Sequence, residues 1–333
     1  QAEDGIRDTS RGLVGSEMCI RDRATDPQQS RRKREGIFYT PDRITRFMVA
    51  RAIGGWLAAR YADLEARYRS SKGTLSNENR LKVWLEYLDL LRRIKVVDPA
   101  CGSGAFLVAA FDYLLTEYER VNRAVAELTG APDQLGLFDL DRQILQENLF
   151  GVDLNPESVE ITKLSLWLKT ARRDKPLNNL DGNIRCGNSL IEPPEVGASP
   201  ALLAAFAALS PDLRPFDWRA AFPGVFAQGG FDVVLGNPPY VRQEALAPLK
   251  PWLAQRYATY HGAADLYVYF YERGLELLAP DGRLSLIVTN KWLRAGYGEP
   301  LRRLFSERAV LEEIIDFGHA PIFEDADTFP CII

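Results

Sequence analysis

Short apolar runs alternate along this chain with longer segments whose apolar residues recur at every third or fourth position. The runs Ile94-Lys95-Val96-Val97, Leu149-Phe150-Gly151-Val152, Ile184–Cys186, Phe231–Gly236 and Arg283–Thr289 predict buried strands. Glu313-Ile314-Ile315 and Phe329–Ile333 predict two more. Helical spacing covers Ile44, Phe47, Met48, Ile53 and Trp56, then roughly 79–92, 105–118, 156–167, 264–278 and 297–307. Thr40-Pro41-Asp42 reads as a helix cap, a proline in the first turn and an early acid, and Asn155-Pro156-Glu157 repeats the device. Gly102-Ser103-Gly104 and Pro280-Asp281-Gly282 read as turns, and 193–230 as an Ala/Pro-rich excursion. Strands that alternate with helices in this way predict an α/β fold, a doubly wound and mostly parallel sheet flanked by helices.

Composition narrows the class more than the function. At 333 residues there is room for one large or two ordinary domains, and 46% hydrophobic with 26% charged residues suits a soluble globular chain. No apolar run is long enough to cross a bilayer, and the N-terminal segment lacks the apolar stretch of a signal peptide. Cys19, Cys101, Cys186 and Cys331 lie too far apart for zinc spacing or a disulfide framework, so a reducing, cytoplasmic setting is expected. His261 and His319 alone are a poor basis for a histidine metal site or a Ser-His-Asp triad, and no metal is expected. The net charge of −4 speaks mildly against a self-sufficient nucleic-acid binder. Basic residues nevertheless cluster at 31–34 and at Arg242, Lys250, Arg256, Lys291, Arg294, Arg302 and Arg303. The alternatives there are a solvated face and a track for phosphates. Residues 1–23 resemble translated adapter sequence; 1–30 are expected to be disordered or artefactual, and 31–333 to form a catalytic domain.

Residues with chemical character fall where the predicted strands end. Asp98, Gly102, Gly104, Asp153, Asn188 and Asn237 each follow such a run, the place where an open α/β sheet binds ligands. Gly102 and Gly104 let a ligand approach the backbone closely. Asp153 is placed to accept from two ribose hydroxyls. A nicotinamide site would use related parts, but its Gly-x-Gly-x-x-Gly is not continued here, where Phe106 and Leu107 follow Ala105. An acid before the turn, Asp98, also suits an amino-bearing ligand better than a pyrophosphate, and S-adenosylmethionine fits that charge pattern. After the fourth run comes Asn237-Pro238-Pro239-Tyr240, whose prolines fix φ and remove two backbone donors. The loop therefore offers acceptors, the Asn237 side-chain oxygen and the Pro238 carbonyl, to an amine on a flat ring that Tyr240 can stack on. The alternative is an ordinary Asn-Pro turn.

Taken in order, these motifs resemble those of N6-adenine DNA methyltransferases of the γ arrangement, as found in type IIG restriction–modification enzymes. Phe38-Tyr39-Thr40-Pro41 resembles the motif that contacts the methionine carboxylate of the cofactor. Asp98-Pro99-Ala100-Cys101-Gly102-Ser103-Gly104-Ala105-Phe106 resembles the cofactor loop, and Gly151-Val152-Asp153-Leu154-Asn155-Pro156 the ribose motif. Asn237-Pro238-Pro239-Tyr240 is similar to the catalytic signature. Ala264-Asp265-Leu266-Tyr267-Val268-Tyr269-Phe270 is similar to the motif after it, which implies that Phe270 packs on the cofactor adenine. Thr289-Asn290-Lys291-Trp292-Leu293-Arg294 and Phe323 before Glu324-Asp325-Ala326 resemble the last two motifs, implying Phe323 against the target base. Where many relatives carry an acid for the amine of the cofactor adenine, this chain has Gly187-Asn188-Ser189, and the Asn188 oxygen still accepts.

The resemblance runs from about Arg31 to the end and implies a Rossmann-like class I S-adenosylmethionine-dependent methyltransferase fold. It implies cofactor contacts from Thr40, Asp98, Ala100, Gly102, Gly104, Asp153, Leu154, Asn188, Pro239 and Phe270. Asn237, Pro238 and Tyr240 carry the implied catalysis, with Tyr240 and Phe323 stacking on the base. For Phe270 and Phe323 the alternative is a plain core phenylalanine, and Trp292 is expected in the core. The implied reaction moves a methyl group from S-adenosylmethionine to N6 of an adenine flipped out of double-stranded DNA, in a restriction–modification or phage-defence setting. A restriction nuclease is an implied partner, and a target-recognition domain is expected beyond Ile333. The rivals are a glutamine-amide or ribosomal-RNA methyltransferase, which shares the Asn-Pro-Pro-Tyr loop, and an inert cofactor-binding fragment.

Overall fold

Alternation along the central strands sends neighbouring side chains into different cores, as a sheet covered on both faces requires. The computed structural model describes residues 40–131, 140–170, 179–318, 320, 322–323 and 329–333. Phe38, Tyr39, the 1–30 segment, the 31–34 basic run, His319 and Glu324-Asp325-Ala326 lie outside the described residues. The strands are β1 (Val96–Asp98), β2 (Leu149–Asp153), β3 (Ile184–Cys186), β4 (Phe231–Gly236), β5 (Leu278–Thr289), β6 (Ile315–Asp316) and β7 (Pro330–Ile332). They form one sheet in the order β3-β2-β1-β4-β5-β7-β6. β1 to β5 pair in parallel, and β7 lies antiparallel between β5 and β6.

The longer helices are α1 (Asp42–Val49), α2 (Gly55–Tyr68), α3 (Asn77–Arg93), α4 (Ala105–Thr129), α5 (Pro156–Thr170), α6 (Pro200–Ala207), α7 (Lys250–Arg256), α8 (Tyr267–Leu277) and α9 (Glu299–Arg308). Val96, Val233, Leu235 and Ile287 point into a core shared with α1 to α5. Leu286 and Val288 join the core of α7, α8 and α9. Val97 and Val234 enter an aromatic cluster with Phe150, Phe216, Trp218, Phe222 and Phe231. Each such aliphatic side chain, fully buried, stabilises the fold by about 1.5–3 kcal/mol.

Several expectations are corrected. Thr40 does not cap α1: Pro41 is the cap residue and its carbonyl accepts the Ile44 and Thr45 N–H groups, while the Thr40 hydroxyl is engaged elsewhere. Asn155 does cap α5, its Oδ1 accepting the Glu157 N–H at 2.9 Å. α4 runs well past Tyr118, because Val121 and Val125 continue the buried stripe, and it stops where Gly130 turns left-handed at φ 69°. The Pro280-Asp281-Gly282 turn is absorbed into β5, where the register against β4 shifts between Phe231 and Val233 and Asp281 takes φ 60°. The second half of the 193–230 excursion is no loose insertion, since Trp218, Phe222 and Val225 form part of the aromatic core. Trp292 is buried as expected.

Candidate active site

Strand order reverses between β1 and β4, and ligands of open α/β sheets sit at the carboxyl edge beside that point. Asp98 is the last residue of β1 and only 1% exposed. Its Oδ1 accepts the Ala100 N–H at 3.0 Å. Burial pushes its carboxyl up to about 8; the Ala100 N–H opposes that rise and the Asp153 carboxylate adds to it. On the neighbouring strand, a methyl group at Gly236 would stand 2.5 Å from Asp98 Oδ1, so only glycine lets the end of β4 come this close.

The turn after Asp98 uses two glycines at left-handed φ, Gly102 at 54° and Gly104 at 85°. Their reasons differ. A Cβ at Gly104 would lie 2.9 Å from Thr162 Cγ2, so this glycine seats the start of α4 against α5. Around the Cβ position of Gly102 no atom of the described residues, its chain neighbours aside, lies within 4 Å, which leaves its backbone open to a ligand. Thr162 Oγ1 braces the turn by donating to the Gly102 carbonyl at 2.8 Å.

Asp153, at the end of β2, links this turn to the next. Its Oδ2 accepts the Gly102 N–H at 2.9 Å and its Oδ1 the Asn155 N–H at 2.8 Å. The carboxylate thereby ties the glycine turn to the start of α5. Leu154 follows with 47% of its surface exposed, an apolar side chain left at a polar edge. Asn188, beyond β3, spends one lone pair of Oδ1 on the Leu190 N–H at 3.1 Å and keeps the other. Its neighbour Ser189 donates to the Pro99 carbonyl at 2.5 Å and so ties this loop to Asp98-Pro99. Ala100 packs against the core that holds Phe270, which is 5% exposed on α8.

Asn237-Pro238-Pro239-Tyr240 leaves β4 at the same edge, with Pro238 buried and Pro239 half-buried. Asn237 Nδ2 donates to the Thr40 hydroxyl at 3.0 Å. The Tyr240 hydroxyl donates to the Ile287 carbonyl of β5 at 3.2 Å. Further on, the Val241 carbonyl accepts the Leu266 N–H at 3.0 Å and Asp265 Oδ1 accepts the Gln243 N–H at 3.0 Å. The loop is thus pinned at both ends. Tyr240 and Phe323 do meet, but edge to face, with centroids 6.2 Å apart and planes at 73°. Phe323 is 5% exposed within the α1–α5 core. Two rings facing each other across a base is therefore not the observed arrangement, because that needs near-parallel planes and one ring has to turn.

Residues 147–323, just over half of the chain, match the family described as Eco57I restriction-modification methylase. The chain belongs to this family. It is 28% identical over 256 residues to the type II restriction enzyme and methyltransferase RM.Eco57I of Escherichia coli, a match over 72% of this chain and 24% of that protein. It is 45% identical over 104 residues to the type II methyltransferase M.XhoI of Xanthomonas vasicola, over 31% of this chain and 19% of the relative. The chain thus spans about a quarter or less of the length of these curated relatives. Among solved structures, the type IIL restriction-modification enzyme MmeI in complex with DNA superposes with a TM-score of 0.58 at 18% identity, over 92% of this chain and 38% of that one. A DrdV–DNA complex gives 0.54 at 16% identity, over 94% and 27%. The fold is the Rossmann-like class I S-adenosylmethionine-dependent methyltransferase fold that the sequence predicts, a mixed, mostly parallel sheet flanked by helices.

Not every basic residue of the chain is free of internal bonds. Arg256 forms a paired bond to Glu276 at 2.9 and 2.7 Å, and Arg302 donates to the Trp292 and Ala295 carbonyls, so both are structural. Lys250 bonds Gln243 and Gly262. Arg242, Lys291, Arg294 and Arg303 remain exposed. No helix among the described residues is long and apolar enough to cross a membrane, and none of their His, Cys, Asp and Glu residues group as metal ligands. Sequence reasoning missed Gly236 and the pairing of Thr40 with Asn237. The signal for Gly236 was present, since glycine ending a buried strand marks a close backbone approach.

Proposed function

We propose that this Eco57I-family methylase transfers a methyl group from S-adenosylmethionine to the N6 amine of adenine in double-stranded DNA. The observation that carries the reading is adjacency: Gly236, which leads into Asn237, packs directly on Asp98, which leads into the glycine turn. An acceptor-only loop and a nucleotide-type cradle therefore share one sheet edge. The residues fit the cofactor, with Gly102 open at its backbone, the Asp153 carboxylate bonded to that same glycine at the end of β2, Leu154 exposed for a flat ring and Asp98 suited to an amino group. Thr40, Ala100, Asn188, Pro239 and Phe270 complete the set proposed to hold it. When bound, S-adenosylmethionine supplies a methyl group whose bond to sulfur breaks, leaving a thioether with the electron pair, as its bond to N6 forms and N6 sheds a proton to solvent.

Asn237 and Pro238 do the rest by offering oxygens to the two N6 hydrogens. That draws the nitrogen lone pair out of conjugation with the ring and stabilises the positive charge that grows on nitrogen. Extruding the base costs a few kcal/mol, and stacking on Tyr240, with Phe323 once turned, returns about 1–3 kcal/mol per base. Arg242, Lys291 and Arg294 are the exposed cations proposed to meet phosphates. Duplex DNA as substrate is supported by the DNA complexes of MmeI and DrdV. The test uses the full-length protein, methyl-labelled S-adenosylmethionine and duplex DNA, followed by nucleoside digestion. Label in N6-methyladenine is expected; label confined to cytosine, or none, overturns the reading. Replacing Asn237 with Ala removes about 3–4 kcal/mol of transition-state stabilisation and slows transfer about a hundredfold or more.

A further inference from the structure

We infer that Tyr257, with Arg273 behind it, is a positioning residue that aligns the Asn188 turn with the cofactor ring and so selects an amino-bearing purine, an inference that rests on the cofactor reading above. The turn identifies its own acceptor. A backbone N–H can only donate, so the Leu190 N–H, 3.1 Å from Asn188 Oδ1, fixes that atom as the oxygen of the amide and leaves it one lone pair. An amine on the cofactor ring gains from that lone pair. A ring carbonyl in the same place would set acceptor against acceptor.

The turn is held from two sides. Trp218 Nε1 donates to the Ser189 carbonyl at 3.1 Å and the Phe216 N–H to the Ile191 carbonyl at 2.7 Å, both from the aromatic cluster. Between these two, the hydroxyl of Tyr257, the residue after α7, donates to the Leu190 carbonyl at 2.7 Å. It also accepts from Arg273 at 3.3 Å, and the same guanidinium bonds Glu192, at the end of the turn, at 2.9 Å. Glu276 balances the charge, bonding Arg273 at 3.1 Å and Arg256 at 2.9 and 2.7 Å. Tyr257 and Arg273 are both buried, and Arg273 stands one turn after Phe270 on α8. Together they hold the acceptor turn at a set distance from the helix that carries Phe270, the residue proposed to lie on the cofactor ring. Stacking tolerates a small slide of the ring, but a hydrogen bond weakens steeply as its angle closes. The link therefore bears on the amine more than on the ring as a whole.

The experiment measures, by calorimetry on the full-length protein, the Kd of S-adenosylhomocysteine and of its deaminated analogue S-inosylhomocysteine, in which a carbonyl oxygen replaces the amine. The wild type should prefer the amine by about tenfold or more. Tyr257→Phe keeps the ring and removes the hydroxyl, and it should cut that preference about threefold or more, chiefly by weakening the amine-bearing ligand. Arg273→Lys keeps the charge but not the planar fork that reaches Glu192 and Tyr257 together, and it should act in the same direction. In an Asn188→Ala background no amide oxygen is left to align, so adding Tyr257→Phe should change the preference by less than about twofold. A merely structural role would weaken both ligands alike. An unchanged preference in Tyr257→Phe or in Arg273→Lys, or an undiminished effect in the Asn188→Ala background, would overturn the inference. Wild-type protein that does not prefer the amine, or Asn188→Ala protein that keeps the full preference, would instead remove the cofactor reading beneath it.

Discussion

Asp98 ends a central strand with its carboxyl 1% exposed and the Ala100 N–H donating to it, while Gly236 presses on its Oδ1 from the next strand. Those contacts cannot replace the lost hydration, so the group keeps its proton up to about 8 in the folded protein. In the unfolded chain it behaves as an ordinary carboxyl near 4. Below that range both states hold the proton and the residue does not affect the balance. Between there and about 8 the unfolded chain has lost the proton that the folded one retains, so raising the pH favours unfolding. Asp98→Asn lacks this term. Its Tm relative to wild type, without added cofactor, should climb from pH 5 to pH 8 and then level off; a difference that stays flat across that range contradicts the assignment. A group that weakens the fold at working pH fits a site that holds an amino-bearing ligand, in which its negative charge gains a partner.

α8 shows what local pattern conceals. Its spacing reads as amphipathic, yet Tyr267 to Gly274 are all buried, Glu272 and Arg273 included. Glu272 receives the Ala258 N–H at 2.9 Å, the Thr259 N–H at 2.8 Å and the Thr259 hydroxyl at 2.6 Å. Arg273 bonds Glu192 at 2.9 Å and Glu276 at 3.1 Å. These buried charges survive in large part because other elements supply Thr259 and Glu192, which no window of sequence reveals. Removing Glu272 strands several buried donors at about 1–3 kcal/mol each. Glu272→Ala should therefore lower Tm by roughly 5 °C or more, as thermal unfolding would show, whereas an unchanged Tm would mean that water replaces the carboxylate. All strands but β5, which begins at Leu278 rather than Arg283, were legible to within a residue or two because Val, Ile and Leu runs have few alternatives, and strand-end acids, glycines and the Asn-Pro-Pro-Tyr loop announce themselves by identity. Hidden were relations between distant residues: Thr40 with Asn237, Gly236 with Asp98, and the aromatic packing of Trp218 and Phe222.

Across the whole molecule, the reversal of strand order decides where function can arise. β1 pairs with β4 through Val96 and Val233 and through Val97 and Val234, so the residues that follow, Asp98 with its glycine turn and Gly236 with Asn237, emerge side by side. β2 and β3 bring Asp153 and Asn188 to one flank, while β5 anchors Tyr240 on the other. Most of the groups proposed for the cofactor and those proposed for the target therefore hang from opposite sides of one seam and should be separable. S-adenosylhomocysteine, the expected product, binds only the folded state, and at a hundredfold excess over Kd it adds about 2.7 kcal/mol of stability. For a chain of this size that raises Tm by roughly 4 °C. Asn237→Ala, on the target side, should keep this rise although methyl transfer fails. Asp153→Asn, on the cofactor side, loses charge and acceptor capacity and should lose most of the rise whatever its starting Tm. If Asn237→Ala also abolishes the rise, the two functions are not divided at the β1–β4 seam, and the sheet would be presenting a single undivided pocket.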